Sequence, residues 1–201
     1  MNNAIVKLIK ELNSSKIDQH RKELLFPLRE YLTHKIKQKK GVNLNFICTH
    51  NSRRSQLSQV WAKVIADFYG LDINTFSGGI EITACNERTI HSFKRLGFSI
   101  NEARGENPHY ELKYKSDKDP IILFSKIYDE APNPKNNFAA VMTCTHADEN
   151  CPFIPGAEKR ISLPFEDPKA FDDTSEEAEQ YDKRSLQIAT EMKYVFNELL
   201  P

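Results

Sequence analysis

The chain has 201 residues, with 28 Lys and Arg against 28 Asp and Glu and four cysteines. That is long enough for one domain with additions and a sizeable core, and the zero net charge gives no bulk field for nucleic acid or a membrane surface. No stretch approaches the roughly 20 apolar residues of a membrane span. Met1 to Leu12 carries Lys7, Lys10 and Glu11 where a signal peptide would be apolar, so a cytoplasmic location is expected.

The charge is unevenly spread. Residues 1–41 hold ten Lys and Arg and four Asp and Glu, so the front is basic and the remainder acidic. Ile5, Leu8, Ile9 and Leu12 fall on one helical face. Residues 16–38 repeat the pattern with Ile17, Leu24, Leu25, Leu28, Tyr31, Leu32 and Ile36. Pro27 should kink this helix or start a new one. Lys35, Lys37, Lys39 and Lys40 fit a helix C-terminus and Gly41 fits its stop. A basic tail of this length reads as a solvated helix end, with contact to an acidic partner as the alternative. These residues form an N-terminal helical extension to a domain spanning 42–201.

Residues 42–47 are an apolar, strand-like run that leads into Cys48-Thr49-His50-Asn51-Ser52-Arg53-Arg54-Ser55. An amphipathic helix follows, with Leu57, Val60, Trp61, Val64, Ile65 and Phe68 on one stripe and Gly70 at its end. A strand feeding a loop that opens a helix aims several backbone N–H groups at one spot, at the positive end of the helix dipole. A thiol placed there is expected to ionise near neutral pH. Arg54 can fork onto two oxygens of a tetrahedral anion. Thr49, His50, Asn51, Ser52, Arg53 and Arg54 are therefore candidates for holding phosphate, arsenate or a close analogue above the Cys48 sulfur. The plainer reading of a strand-end cysteine is buried packing. Asn51 tolerates left-handed backbone and can tie the loop together. His50 reads as a loop-structure residue.

Beyond this loop, 72–76 reads as a strand, Ser77-Gly78-Gly79 as a turn, and 87–96 as a helix. Residues 105–135 break the rhythm with Pro108, Pro120, Pro132 and Pro134. They read as an inserted hairpin or flap, with strand-like 109–114 and 121–128, placed over the site or on an edge. A buried strand at 138–142 ends at Thr143-Cys144, and 160–165 reads as a fourth strand. A closing helix covers 175–199. Strands alternating with helices predict an α/β fold with a parallel sheet, whose ligands sit at the carboxyl ends of the strands. Cys48 and Cys144 lie at such ends, and Asp167 lies just beyond another.

The Cys48–Ser55 run resembles the signature loop of the low-molecular-weight protein tyrosine phosphatase superfamily. Cys144-Thr145-His146-Ala147-Asp148-Glu149-Asn150-Cys151-Pro152, followed by a strand and Asp167-Pro168, is similar to the pattern of its thioredoxin-coupled arsenate reductases. The resemblance covers about 42–200 and implies a four-stranded parallel sheet flanked by helices, with no metal and no organic cofactor. It implies that Cys48 attacks arsenate, that Arg54 binds it and that Ser55 stabilises the thiolate. Cys144 would then displace arsenite, and Cys151 would carry the disulfide outward to thioredoxin or a similar thiol donor. Asp167 matches the general-acid position; on its own, Asp-Pro is a common turn.

Other readings stand beside this one. A phosphatase working through a phosphocysteine would need Cys48, Arg54 and Asp167 but neither later thiol. A redox-sensing or interaction module would turn over neither oxyanion. A zinc site on Cys144, His146 and Cys151 would lack the close pairs of structural zinc centres. Cys85 reads as packing, and His146 as a loop residue. The chain departs from the family where His50 replaces the usual Gly and Arg53 replaces a second Cys found in many relatives. It has Lys169-Ala170-Phe171 where phosphatases carry a Tyr after Asp-Pro, and Gln59 where some reductases place a potassium-site Glu.

Overall fold

The structure is a computed structural model and describes residues 1–151 and 153–200. Pro152, part of the motif quoted above, lies outside the described residues. In chain order the elements are α1 (Asn3–Glu11), α2 (Gln19–Lys37), β1 (Val42–Cys48), α3 (Arg54–Phe68), β2 (Ile73–Gly79), α4 (Glu87–Arg95) and β3 (Ser99–Ile100). They continue with β4 (Tyr110–Lys113), β5 (Ile121–Leu123), β6 (Phe138–Met142), α5 (Thr145–Asn150), β7 (Ala157–Ser162) and α6 (Glu177–Asn197). Short 3₁₀ turns cover Ser14–Lys16 and Pro168–Phe171.

Four strands form a parallel sheet in the order β2-β1-β6-β7, and β3, β4 and β5 form a separate antiparallel sheet. The predicted four-stranded α/β architecture is therefore present, and the expected hairpin within 105–135 is β4–β5, its second strand ending at Leu123 and not at 128. Side chains alternate across a strand, and β1 shows what each face packs against. Leu44 and Phe46 join the large core with residues of α1, α2, α3, α4 and α6, whereas Ile47 joins a small cluster with Met142, Cys144, Ala147 and Cys48. The small cluster runs along one face of β6 and reaches the carboxyl ends of β1 and β6 at Cys48 and Cys144.

Several local expectations are corrected. The α2 helix runs through Pro27 without ending. Burial of Leu25, Leu28, Tyr31 and Leu32 outweighs a proline cost of about 3 kcal/mol. The left-handed residue after α2 is Lys39 (φ 53°), not Gly41. Lys35 is no part of a solvated tail. It is buried, its Nζ lies 2.8 Å from Glu158 Oε2, and Tyr31 donates to the same carboxylate at 2.7 Å. The fourth strand begins at Ala157, earlier than 160, and ends at Ser162.

Ser77, Gly78 and Gly79 belong to β2 and pair with Phe46, Ile47 and Cys48. They are small because other backbone crosses them. A Cβ on Gly79 would sit 2.7 Å from Asn51 N and 2.8 Å from Thr49 O, and one on Gly78 would collide with the backbone of Tyr128. A turn signal in the sequence is thus a close-approach signal in the fold.

Candidate active site

The segment from Thr49 to Arg53 is a nest of backbone N–H groups. Every one of its carbonyls is turned outward and held. Thr49 O accepts from Ile80 N (2.8 Å) and Glu81 N (2.9 Å), and His50 O from Ser125 Oγ (2.7 Å). Asn51 O accepts from Gln56 Nε2 (2.9 Å), Ser52 O from Asn86 N (3.0 Å), and Arg53 O from Leu57 N (2.9 Å). Among the described residues, the N–H groups of His50, Asn51, Ser52 and Arg53 meet no protein acceptor. With the carbonyls pinned to the scaffold, those donors gather at the N-terminus of α3, an arrangement chemically suited to an anion.

Asn51 makes the bend, with φ 47° and complete burial. Its Oδ1 accepts from Lys126 N (3.2 Å), so its Nδ2 faces Ser55 Oγ (2.9 Å). Ser55 Oγ therefore accepts from Asn51, and its own proton is free for Cys48 Sγ, 3.0 Å away. A hydroxyl so oriented stabilises a thiolate more than a thiol. Cys48, Thr49, His50, Ser52, Arg53, Arg54 and Asp167 line one small cavity.

Two arginines stand at the end of the nest, and both are engaged. Arg54 NH2 donates to Asp167 Oδ2 (2.7 Å) and its NH1 to Phe165 O (3.0 Å). Arg53 Nε donates to Tyr181 Oη (2.8 Å), and its NH2 lies 3.3 Å from Asp172 Oδ2. Asp167 also accepts from Lys169 N (3.1 Å), which closes the 3₁₀ turn. Its carboxylate thus occupies one donor of the arginine predicted to take an oxyanion. His50 Nε2 pairs with Glu81 at 3.0 Å, out on the rim.

All four cysteines are free thiols. Cys48 and Cys144 are buried in the same small cluster, and Cys151 packs against it half-buried. Thr49 Oγ1 lies 3.5 Å from Cys144 Sγ and 3.2 Å from His146 Nδ1. The segment between Cys144 and Cys151 is the helix α5. Cys144 is its N-cap and accepts from Ala147 N at 3.4 Å; Cys151 is its C-cap. Burial pushes the Cys151 thiol up. Asp148 fastens α5 to β7 through Arg160 (2.6 Å) and Ser162 Oγ (2.6 Å). Among the described residues, no group of three or more His, Cys, Asp or Glu is placed to hold a metal ion.

The segment 105–135 supplies residues that sequence reasoning missed. Its exit, 124–128, runs behind the nest rather than over it. Phe124 O accepts from Gln56 (2.8 Å), Ser125 holds His50 O, and Lys126 bonds Asn51 and Gly79. Lys126 is 3% exposed, and burial pushes its ammonium down to about 8. Nothing in the sequence marks Ser125 or Lys126, because their partners in the nest, His50 and Asn51, are each 75 residues away. Beside the nest a cleft of about 600 Å³ opens between His50, Arg53, Asn86, Arg88, Tyr110 and Lys169. Cys85 lines it, and burial pushes that thiol up to about 12. Its packing role accords with an unreactive thiol.

An arsenate reductase of Staphylococcus aureus (strain Newman) is 34% identical to this chain over 124 residues, covering 61% of this chain and 76% of that protein. Among solved structures, a low-molecular-weight phosphotyrosine phosphatase from Vibrio cholerae O395 has a TM-score of 0.53 at 14% identity, covering 79% of this chain and 95% of its own. An arsenate reductase from Archaeoglobus fulgidus DSM 4304 has a TM-score of 0.51 at 15% identity, covering 77% and 98%. At such identities the structures speak for the fold alone. No family model matches the chain. Among the described residues, no helix is long and apolar enough to cross a membrane.

Proposed function

The chain belongs to the arsenate reductase family on the fold of the low-molecular-weight protein tyrosine phosphatases, and on that premise we propose that it reduces arsenate to arsenite with a relay of Cys48, Cys144 and Cys151. The observation that carries the reading is the grouping of the three thiols. Cys48 lies under the anion nest, Cys144 touches the nest through Thr49, and Cys151 packs on the same cluster.

Arsenate enters the nest and takes the N–H groups of 50–53 and the fork of Arg54, displacing the Asp167 carboxylate from that guanidinium. The Cys48 thiolate, held by Ser55, attacks arsenic, and Asp167 in its acid form protonates the departing oxygen, which leaves as water. The Cys144 thiolate then attacks Cys48 Sγ. The electron pair of the S–As bond passes to arsenic, so As(V) becomes As(III), and arsenite leaves behind a Cys48–Cys144 disulfide. Cys151 attacks Cys144 Sγ and releases the Cys48 thiolate. A dithiol donor of the thioredoxin type reduces the Cys144–Cys151 disulfide and is itself oxidised.

The test is arsenate-dependent NADPH oxidation with thioredoxin and thioredoxin reductase. Steady turnover is expected of the wild type and loss of it in Cys144→Ser and Cys151→Ser. Full turnover in Cys144→Ser refutes the relay. The cleft beside the nest is much larger than arsenate and favours a second reading, hydrolysis of a phosphomonoester through a phosphocysteine. That activity would survive Cys144→Ser and be lost in Cys48→Ser.

A further inference from the structure

The N-terminal helices reach the acid loop through one side chain. Asp18 caps α2 by accepting from Arg21 N at 2.8 Å, which fixes Arg21 in the first turn. The Arg21 guanidinium, 15% exposed, then satisfies three acceptors at once. Nε and NH2 donate to the two oxygens of Glu191 (3.0 and 2.6 Å), and NH1 donates to Pro164 O (2.8 Å). The same group lies 4.8 Å over the ring of Phe165. Glu191 on α6 is 2% exposed and is held from its own helix by Gln187 (2.9 Å).

Pro164 and Phe165 join β7 to Asp167. Arg54 grips this peptide from the nest, at Phe165 O, and Arg21 grips it from the opposite flank, at Pro164 O and the Phe165 ring. Phe165 N adds a bond to Thr143 O (3.1 Å) at the end of β6. When an oxyanion takes Arg54, the grip from the nest is weakened at the moment when Asp167 must act. The grip of Arg21 is independent of the anion. A lysine could not replace it, because three directed donors and a planar stacking face are used together.

We infer that Arg21 is a positioning residue for Asp167, so that residues 1–41 serve the chemistry by fixing the acid loop against the buried Glu191. This rests on the reading of Asp167 as the acid of the proposed reaction. A misplacement of about 1 Å in such a group costs on the order of 100-fold in rate.

Arg21→Met alone would strand the Glu191 charge and endanger the fold. The test therefore uses the full chain with the pair Arg21→Met and Glu191→Met, a replacement that buried ion pairs commonly tolerate. Arsenite formation in a single turnover at saturating arsenate should fall about 10- to 100-fold, with competition by inorganic phosphate unchanged. In an Asp167→Asn background the pair should cost almost nothing, since its effect passes through Asp167. A purely structural role would slow both backgrounds by the same factor, and that result overturns the inference. Hydrogen exchange gives a reading that needs no activity. The amides of Phe165 and Lys169 should exchange about tenfold faster in the pair variant while those of β1 keep their protection. Unchanged protection at both overturns the inference even if the wild type forms no arsenite, an outcome that would separately refute the proposed function.

Discussion

Lys126 gives the sharpest quantitative test of how the nest is built. Its side chain is buried on the segment that bonds Asn51, with the ammonium 4.6 Å from the centre of the Phe124 ring. No carboxylate among the described residues lies within ion-pair distance of it. Burial lowers its ionisation from the ordinary 10.5 to about 8. The folded state therefore holds this proton less tightly than the unfolded state does. Between about pH 8 and 10.5 the unfolded chain binds more protons, so the wild type gains stability as pH rises through that window. A shift of this size means that the charged lysine costs about 3 kcal/mol at pH 7 and about 1.4 kcal/mol at pH 9.5. Lys126→Met keeps most of the apolar stem and the backbone N–H to Asn51 but removes the charge. In urea denaturation it should be more stable than the wild type by up to about 3 kcal/mol near pH 7, the gap narrowing by about 2 kcal/mol near pH 9.5. A variant no more stable than the wild type near neutrality, or a gap independent of pH, refutes the argument that an unpaired ammonium is buried behind the nest.

Three further substitutions probe separate features. Ser55→Ala removes the hydroxyl 3.0 Å from Cys48 Sγ and should slow arsenite formation about 10- to 100-fold in single-turnover assays, the usual worth of a hydrogen bond to a charged group. Gly79→Ala places a Cβ against Asn51 N and Thr49 O; it should cost about 1–3 kcal/mol in urea denaturation and weaken phosphate binding by calorimetry. The Lys35 ammonium beside Glu158 holds that carboxyl below the usual range, so its contribution is present above the ordinary carboxylate range and lost as pH falls through the lowered value. Glu158→Gln should therefore be less stable than the wild type in neutral denaturation curves and equal to it in acid.

What could be read from the sequence, and what could not, divides by the range of the interaction. Cys48, Arg54 and Ser55 are legible because strand, loop and helix follow one another within 30 residues, and local order fixes where their side chains point. Asn51 is legible for the same reason, as a residue that accepts positive φ. Lys35 was misread because its partner Glu158 is 123 residues away, and a lysine in a basic run carries no mark of burial. Gly78 and Gly79 were misread because the chain that crosses them is Tyr128 and the loop at 49–51, not their own neighbours. Pro27 shows a third limit. Its intrinsic cost is visible in the sequence, but the packing that overrides it belongs to the whole face of α2.

The order of steps in the proposed relay follows from where α5 places its two cysteines. Cys144 already shares a cluster with Cys48, so the first exchange is expected while α5 is intact. Cys144 and Cys151 cap opposite ends of the helix, and seven residues at 1.5 Å each set their Cα atoms about 10 Å apart. A disulfide needs roughly 4.4–6.8 Å, so the second exchange requires α5 to unwind. A helix of six residues has little stability of its own. It is tied to β7 by the Asp148 side chain, which meets Arg160 and Ser162, and by Arg160 donating to the carbonyls of Asp148 and Cys151. Weakening that tie should speed the second exchange and leave the first unchanged. Asp148→Asn should raise the rate of Cys144–Cys151 disulfide formation, followed by quenching and mass mapping, without altering the single-turnover yield of arsenite. A variant that instead slows arsenite release would show that α5 must unwind before Cys144 attacks Cys48, and the order of opening would be reversed.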